Sequence, residues 1–396
     1  MTTASLRAPA YALRNTTAIT YACYASMLFL GVGFAIIGAA ASTIGLSAAQ
    51  IGTLIAVQQA GFAVAIFASG FLGEVIGRPR VILCGCIVIA ASFLGFYRTP
   101  SLLINALMMF GVGLGMGAFE GSTDALLLEM HQKNQTRYIN INHFFVTIGA
   151  MAITFYLSRL DALDWRSSVT QTGLVALAIG VVFAFAHVHK TAGDGGGRPL
   201  GGIKIQNKRL VVLLFLFGVL SVGIELGAYG FLPAFLVDHR AFAAATAKLV
   251  LLLFFAGVAA GRLAIGLFAA NRWLRLYLLA FLASATIAFT TLFFVPTAHA
   301  LTAVLVFVAG VTISAPFPLM IAFAGLTWKE HAGPVISVLK LSIPAGGMLL
   351  PFAVGAAARE RGLLLGLAVL PIAALAATLI AVICKPQQSG VSRASG

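Results

Sequence analysis

A long apolar stretch near the beginning of the chain decides its fold class. From Asn15 to Gly73 the sequence reads NTTAITYACYASMLFLGVGFAIIGAAASTIGLSAAQIGTLIAVQQAGFAVAIFASGFLG and contains no Asp, Glu, Lys or Arg. A membrane-spanning helix needs about 20 predominantly apolar residues, because the hydrocarbon core of a bilayer is about 30 Å thick. The stretch therefore predicts two spans, approximately over residues 17–41 and 50–73.

The composition of the whole chain points the same way. Hydrophobic residues make up 60% of it and charged residues 9%, whereas an average soluble domain has about 25% charged residues. A soluble fold needs charge to cover its surface, so this composition excludes a soluble enzyme, a nucleic-acid-binding domain and a disordered protein. The four cysteines lie in apolar stretches without metal-site spacing, which predicts buried thiols and neither a disulfide framework nor a metal site.

Charged and turn-forming residues divide the chain into twelve apolar segments. The segments are continuously apolar and do not alternate, which favours helices over a membrane β-barrel. We therefore expect an all-α membrane protein with twelve transmembrane helices. The predicted limits are 17–41, 50–73, 81–98, 101–123, 139–159, 169–187, 210–235, 246–268, 273–295, 298–325, 333–357 and 362–384.

The distribution of Lys and Arg predicts the orientation of these spans. With the N-terminus inside the cell, the cytoplasmic side carries more than twice as many Lys and Arg residues as the outer side. Positive residues accumulate on the cytoplasmic side of membrane proteins. The net charge of +14 is then a topology signal and does not indicate a nucleic-acid partner. We expect a multi-pass protein of the cell membrane, of the bacterial inner-membrane type, with both termini in the cytoplasm.

The middle of the chain predicts a division into two similar halves. Residues 188–209 form a glycine-rich basic segment typical of a flexible linker, which separates predicted domains over 1–187 and 210–396. Shifting the second half back by 196 or 197 positions aligns several glycines, among them Gly61 with Gly257 and Gly149 with Gly346. Two six-helix bundles related by a pseudo-two-fold axis along the membrane normal are a known transporter layout.

The segment between the second and third spans carries a recognisable motif. It reads Gly70-Phe71-Leu72-Gly73-Glu74-Val75-Ile76-Gly77-Arg78-Pro79-Arg80. It resembles the loop pattern Gly-x-Leu-x-Asp-x-x-Gly-Arg-Lys/Arg of the major facilitator superfamily, with Glu in the place of Asp. The alternative is a plain basic loop set by orientation alone. The resemblance implies a conformational-switch network, which we assign to Gly70, Gly73, Glu74, Gly77, Arg78, Arg80 and Asp124.

Two further stretches are similar to the fucose-permease-type sugar:proton symporters within that superfamily. The first runs from Asp124 through Glu129 to Asn142-His143-Phe144-Phe145 and Gly149-Ala150. The second runs from Glu225 through Tyr229 and Phe235 to Gly257 and Gly261-Arg262-Leu263. The first span carries no acidic residue and position 128 is Leu, which are departures from that pattern.

Ionisable side chains at membrane depth are costly and therefore mark candidate functional positions. Glu225 lies near the middle of the seventh span, and Tyr229 follows one turn later on the same helix face. A carboxyl group in a low-dielectric cavity has its charged form disfavoured, so Glu225 is a candidate for binding and releasing a proton. The alternative for Glu225 is a structural ion pair.

Three basic or imidazole side chains lie at similar depth in their spans: His143, Arg262 and Lys340. They are candidates for binding an anionic substrate or for pairing with carboxylates. For Arg262 the alternative is a side chain that extends to the cytoplasmic interface, and for His143 it is a structural hydrogen bond.

Two carboxylates lie one turn apart on the fourth span. Glu120 and Asp124 repel each other at this spacing unless they share a proton or a cation. Asp124 alternatively joins the network of Glu74 and Arg78. The complete set of predicted substrate- or proton-binding residues is Glu225, Tyr229, Glu120, Lys340, His143, Asn142 and Gln58, where interhelical hydrogen bonding is the alternative for the two amides.

Together these features predict a secondary active transporter that works by alternating access. No nucleotide-binding motif and no nucleophile–base pair is visible, so we expect an ion gradient as the energy source, most simply protons, with no enzymatic activity and no cofactor. The predicted partners are a small polar solute (a sugar or sugar-like organic anion), protons and the lipid bilayer, and the predicted state is a monomer that performs uptake. The alternative is proton-coupled efflux of drugs or metabolites, although the fifth span lacks the Gly-Pro-x-x-Gly-Gly pattern of drug:proton antiporters.

Overall fold

The computed structural model describes residues 15–131, 135–159, 165–186, 207–268, 273–328 and 332–384. The regular elements in these ranges are helices, as the sequence predicts. The predicted linker over 188–209 lies almost entirely outside the described residues, as do both chain termini. The α-helices are α1 Thr16–Ile44, α2 Ala48–Leu72, α3 Arg78–Gly95, α4 Leu102–Met130, α5 Gln135–Arg159, α6 Trp165–Phe185, α7 Lys208–Arg240, α8 Ala244–Phe268, α9 Leu274–Phe294, α10 His299–Ser314, α11 Pro316–Thr327, α12 Ala332–Lys340, α13 Ser342–Arg361, α14 Leu363–Leu367 and α15 Val369–Ile383.

The described residues contain 11 helical stretches that are long and apolar enough to cross a membrane. One of them, Ala48–Gly95, has 48 residues and would be about 72 Å long at about 1.5 Å per residue. This is more than twice the thickness of a bilayer core. The stretch comprises α2 and α3, joined by a π-helical turn over Gly73–Gly77 in which Gly77 has φ +90°. Counting it as two spans gives the predicted twelve.

The turn between α1 and α2 shows how local sequence ends one span and begins the next. Gly45 ends α1 with φ +78°, a conformation that favours glycine. Ser47 then begins α2 with a capping box. The Ser47 hydroxyl accepts a hydrogen bond from the Gln50 backbone, and the Gln50 side chain accepts one from the Ser47 backbone.

The chain forms two compact units. The first contains Met1–Gly195 with Tyr229–Leu252, and the second contains Gly196–Ala228 with Leu253–Gly396. Both α7 and α8 therefore contribute residues to each unit. The sequence predicts two domains that are each continuous along the chain, over 1–187 and 210–396. These boundaries stay a prediction.

In the first unit, glycines let helices approach to backbone contact. A Cβ atom added to Gly61 of α2 would lie 2.2 Å from the Phe110 carbonyl oxygen of α4, and one added to Gly113 of α4 would lie 1.8 Å from the Gln58 carbonyl oxygen. The α1–α5 contact is similarly close, since a Cβ on Gly149 would lie 1.8 Å from the Leu28 carbonyl oxygen. Small residues at such positions are typical of membrane helix pairs.

The second unit repeats this construction between α8 and α10. A Cβ atom added to Gly257 would lie 2.2 Å from the Phe307 carbonyl oxygen, and one added to Gly310 would lie 2.1 Å from the Phe254 carbonyl oxygen. These positions follow those of the α2–α4 contact by 196 or 197 residues. Within each unit the aligned glycines Gly61 and Gly257 thus have the same role, which confirms that part of the predicted internal repeat.

Candidate functional site

Polar side chains of α4 and α5 meet around Asp124 in the first unit. The Asp124 Oδ1 atom accepts a 2.8 Å hydrogen bond from Asn142 Nδ2, and its Oδ2 atom lies 2.9 Å from His143 Nε2. Asn142 Nδ2 also donates to Thr123 Oγ1 at 3.0 Å. Glu120 precedes Asp124 by one turn and is 6% exposed. The structure therefore brings together four residues that the sequence singled out, Glu120, Asp124, Asn142 and His143.

This α4–α5 cluster, comprising Glu120, Asp124, Asn142 and His143, has the donors of a cation site. Glu120, Asp124 and His143 each offer one ligand atom, and these three atoms lie within 4.8 Å of one another. Carboxylate oxygens and an imidazole nitrogen hold either protons or metal ions. The sequence predicts no metal site because no ligand spacing along the chain indicates one. Spacing along the chain cannot reveal this cluster, since its donors come from two different helices.

In the second unit, α7 and α8 are linked by an ion pair. Arg262 Nη2 donates to Glu225 Oε1 at 2.9 Å and to Glu225 Oε2 at 3.2 Å, and Arg262 Nε donates to the Ser314 carbonyl oxygen at 3.4 Å. The side chains of Glu225 and Arg262 are 10% and 37% exposed. Arg262 therefore turns toward a buried carboxylate. The ion pair that was the alternative for Glu225 is present, and it is compatible with proton binding because neutralising Glu225 would release Arg262.

The other predicted binding residues have separate surroundings. Tyr229 follows Glu225 by one turn on α7 and is 6% exposed, and its backbone carbonyl lies against Gly38 of α1. Lys340 is the last residue of α12, at the interruption before α13. Gln58 is buried and donates a 2.8 Å hydrogen bond to the Gly33 carbonyl oxygen of α1, which is the interhelical role that the sequence left as the alternative.

The adjacent amide, Gln59 of α2, could equally bind a polyol or hydrogen-bond to another helix by its sequence position, and the structure separates it from Gln58. Its side chain is 1% exposed, and neither its Oε1 nor its Nε2 atom has a hydrogen-bond partner. Burying an amide without partners is costly. Gln59 is therefore the better candidate of the two for contacting a polar solute.

The motif after the second span forms the π-helical turn and an ion pair. Arg78 Nε donates to Glu129 Oε1 at the end of α4, and Arg80 donates to the Ile76 carbonyl oxygen at 3.3 Å. Glu74 is exposed. Among the described residues, the acid that pairs with Arg78 is thus Glu129 and not the motif acid Glu74. Gly73 packs against the Arg78 side chain, where an added Cβ would lie 3.2 Å from it.

Comparison with protein families decides the classification. The Major Facilitator Superfamily profile matches residues 17–351. The chain belongs to the major facilitator superfamily. Membership in this superfamily makes the protein a membrane transporter and not an enzyme.

Solved structures of this superfamily share the fold at low sequence identity. A bacterial homologue of the human lysosomal transporter Spinster has a TM-score of 0.73 and 16% identity, covering 93% of this chain and 95% of that one. A D-xylose-proton symporter has a TM-score of 0.72 and 12% identity, covering 92% and 97%. The nucleoside transporter NupG has a TM-score of 0.74 and 12% identity, covering 93% and 97%. No curated protein matches the sequence.

One residue of interest was missed by the sequence analysis. Lys248 lies near the start of the predicted eighth span, and in the first unit it is 1% exposed. Its Nζ atom donates to Thr43 Oγ1 of α1 at 2.8 Å and to the Leu157 carbonyl oxygen of α5 at 3.2 Å. A lysine that falls within an apolar helix was the signal available in the sequence.

The first unit also has a cavity of about 420 Å³ at helix ends predicted to lie outside the cell. Its lining includes Gln50, Tyr97, Arg98, Trp165 and Arg166. Burial raises the pKa of the Tyr97 phenol, so this side chain stays neutral near pH 7. Arg98 and Arg166 are held by Thr170 and by the Tyr97 carbonyl oxygen, and we assign this cavity no role in transport.

Proposed function

We propose that this protein takes up a small polar solute, a sugar or a sugar-like organic anion, by alternating access driven by protons. The observation that carries the proposal is the pair of Glu225 and Arg262 on α7 and α8. A buried carboxylate with an arginine partner has two stable states, one ionised and paired, the other protonated and released. An element with two such states is what proton coupling requires.

Protonation of Glu225 would free the guanidinium group of Arg262. Arginine binds carboxylate and hydroxyl oxygens through several donors in a fixed geometry. A proton arriving at Glu225 would therefore make Arg262 available to the solute, and loss of the proton would return Arg262 to Glu225. Ser221 lies one turn before Glu225, and its buried hydroxyl group has no hydrogen-bond partner, so it is available to the same solute.

The choice of a sugar rests on similarity alone. The chain shares sequence patterns with fucose-permease-type symporters, and one solved structure of similar fold is named as a D-xylose-proton symporter. The solute class can be tested with purified protein, because a ligand that binds the native state raises the melting temperature. We expect stabilisation by a sugar or sugar acid, whereas stabilisation only by amphiphilic drugs would favour the efflux alternative.

The coupling can be tested with Glu225→Gln in proteoliposomes. The amide mimics the protonated carboxyl group, so solute exchange across the membrane should persist while uphill accumulation driven by a pH gradient is lost. Glu360→Gln, which changes an exposed acid of the same unit, is the matched control. If Glu225→Gln still accumulates solute and Glu120→Gln does not, the coupling site lies on α4.

We also propose that the protein works as a monomer in a bacterial inner membrane, with both termini and the 188–209 linker in the cytoplasm. The asymmetry of Lys and Arg supports this orientation. Reporter domains fused after Gly195 test it. We expect activity from a reporter that works only in the cytoplasm. Activity from a reporter that works only outside the cell would show that every span has the opposite orientation.

A further inference from the structure

We propose that the α4–α5 cluster of Glu120, Asp124, Asn142 and His143 binds a divalent transition-metal cation such as Zn²⁺. This inference assigns the cluster a metal ion in place of the solute. It rests on the geometry of the first unit alone, so it stands or falls independently of the proton site at Glu225.

The first argument is the arrangement of donors. One oxygen from Glu120, one from Asp124 and one imidazole nitrogen from His143 lie within 4.8 Å of one another. Three atoms at such distances can bind a single ion at about 2.0–2.2 Å after small side-chain movements. Two come from successive turns of α4 and the third from α5, so the ion would join two helices.

The second argument is an orphaned oxygen atom on a side chain that contacts one of these ligands. Asn142 is fully buried, and its Oδ1 atom has no hydrogen-bond partner. Its Nδ2 atom, on the same planar amide, donates to Asp124 Oδ1 at 2.8 Å and to Thr123 Oγ1 at 3.0 Å. A buried acceptor without a donor needs an explanation, and a bound cation is one of the few available.

Rotating the amide does not remove this orphan. With the two atoms of the Asn142 amide exchanged, its oxygen would face the Asp124 carboxylate, and two acceptors would then be in contact. The observed orientation is therefore the favourable one. The unsatisfied oxygen remains on the amide whose nitrogen donates to Asp124, one of the proposed ligands.

The third argument is charge. Glu120 and Asp124, one turn apart on a helix, raise each other's energy when both are ionised. A divalent ion bound between the two carboxylates supplies two positive charges and offsets this repulsion. Mixed oxygen and nitrogen donors favour ions such as Zn²⁺ or Mn²⁺ over Na⁺, Mg²⁺ or Ca²⁺, which prefer oxygen ligands alone.

The test measures metal binding to the purified full-length protein, prepared without a polyhistidine tag. Titration calorimetry with Zn²⁺ should give one saturable site per chain. Mn²⁺ bound at the same site should show magnetic coupling to an imidazole nitrogen in pulsed electron paramagnetic resonance. Excess Na⁺ or Mg²⁺ should not displace Zn²⁺.

The variants Asp124→Asn and His143→Gln each remove one ligand and should weaken Zn²⁺ binding at least tenfold. His143→Gln should also abolish the nitrogen coupling of Mn²⁺. Asp238→Asn is the matched control, because it removes an exposed acid of the same unit outside the cluster and should leave the affinity unchanged. Since the His143 side chain is 39% exposed, His143→Gln is expected to fold even if Asp124→Asn does not.

Three results would overturn the proposal. One is the absence of saturable Zn²⁺ binding to the unaltered protein. Another is binding that neither Asp124→Asn nor His143→Gln weakens, which would place the metal elsewhere. The last is displacement of Zn²⁺ by excess Na⁺ or Mg²⁺, which would make this an oxygen site for a hard cation.

Discussion

The α2–α4 contact of the first unit and the α8–α10 contact of the second have the same backbone construction and different polar content. In both, a glycine of the earlier helix and a glycine of the later helix lie against backbone carbonyl oxygens of the partner. At the equivalent positions 58 and 254, however, the first unit has Gln58, which binds the Gly33 carbonyl oxygen, and the second has the buried aromatic Phe254.

This difference shows that the repeat preserves helix packing while each unit carries its own polar chemistry. The first unit holds its carboxylates beside an imidazole in the α4–α5 cluster. The second unit holds Glu225 beside a guanidinium group. Glycines in close backbone contact cannot be replaced without moving the helices apart. A polar side chain in a membrane protein needs only a partner nearby, so its identity can differ between the two units.

The largest expected effect concerns the ion pair of Glu225 and Arg262 in the second unit. Arg262→Met should reduce proton-driven uptake to background, because Glu225 would lose its guanidinium partner and the paired state of the coupling element could no longer form. Arg262→Lys should retain part of the activity and shift the dependence of uptake on pH. Uptake into proteoliposomes over a range of pH measures both.

Arg359→Met, at an exposed position of α13, is the control for this change. Two outcomes would count against the distinction between the units. One is unchanged uptake by Arg262→Met. The other is an equally complete loss in His143→Gln, which would mean that both polar groups serve the same coupling step.

The second effect tests the shared construction. Gly113→Ala and Gly310→Ala should each lower the free energy of unfolding by about 2–3 kcal/mol, because the added methyl group must displace a backbone carbonyl. Thermal unfolding in detergent measures the two losses, which should be similar. Gly325→Ala is the control, since an added Cβ there meets no atom within 4 Å. If Gly113→Ala lowers the unfolding free energy and Gly310→Ala does not, the α2–α4 and α8–α10 contacts are not equally tight.

The third effect concerns the polar position that distinguishes the two contacts. Gln58→Met should cost about 1 kcal/mol through loss of one interhelical hydrogen bond, with solute affinity unchanged. Gln59→Met should weaken solute binding without destabilising the protein, because its amide forms no hydrogen bond in the structure. Measuring both melting temperature and solute dissociation constant for each variant separates the roles. If Gln58→Met weakens solute binding and Gln59→Met only lowers the melting temperature, Gln58 and not Gln59 contacts the solute.

The smallest effect is expected at the motif. Glu129→Gln should lower the transport rate severalfold by freeing Arg78, with solute affinity retained, because an element that controls motion acts on the difference between states. Glu74→Ala should have a weaker effect, since Glu74 is exposed. Initial rates of uptake measure this difference. If Glu74→Ala lowers the uptake rate more than Glu129→Gln does, the functional partner of Arg78 is Glu74 and not Glu129.

Sequence reasoning reached the fold class and part of the candidate site. It singled out Glu120, Asp124, Asn142 and His143 because ionisable and amide groups are unusual at membrane depth, and the structure places these residues together. It did not identify Lys248 as buried or Gln59 as unsatisfied. Burial and hydrogen bonding of a side chain depend on which helices surround it, and apolar patterning along one helix contains little of that information.

The sequence by itself determined the class, the span pattern and the superfamily motif. Placing polar backbone groups and charges in lipid is unfavourable for each helix separately. Each span therefore has to be a helix of about 20 mostly apolar residues, and such a stretch can be recognised in the sequence alone. The tertiary structure alone decided the partners: Glu129 for Arg78, Asn142 and His143 for Asp124, and Arg262 for Glu225. These pairs join residues 18 to 51 positions apart, and only the packing of different helices determines which side chains come within hydrogen-bond distance.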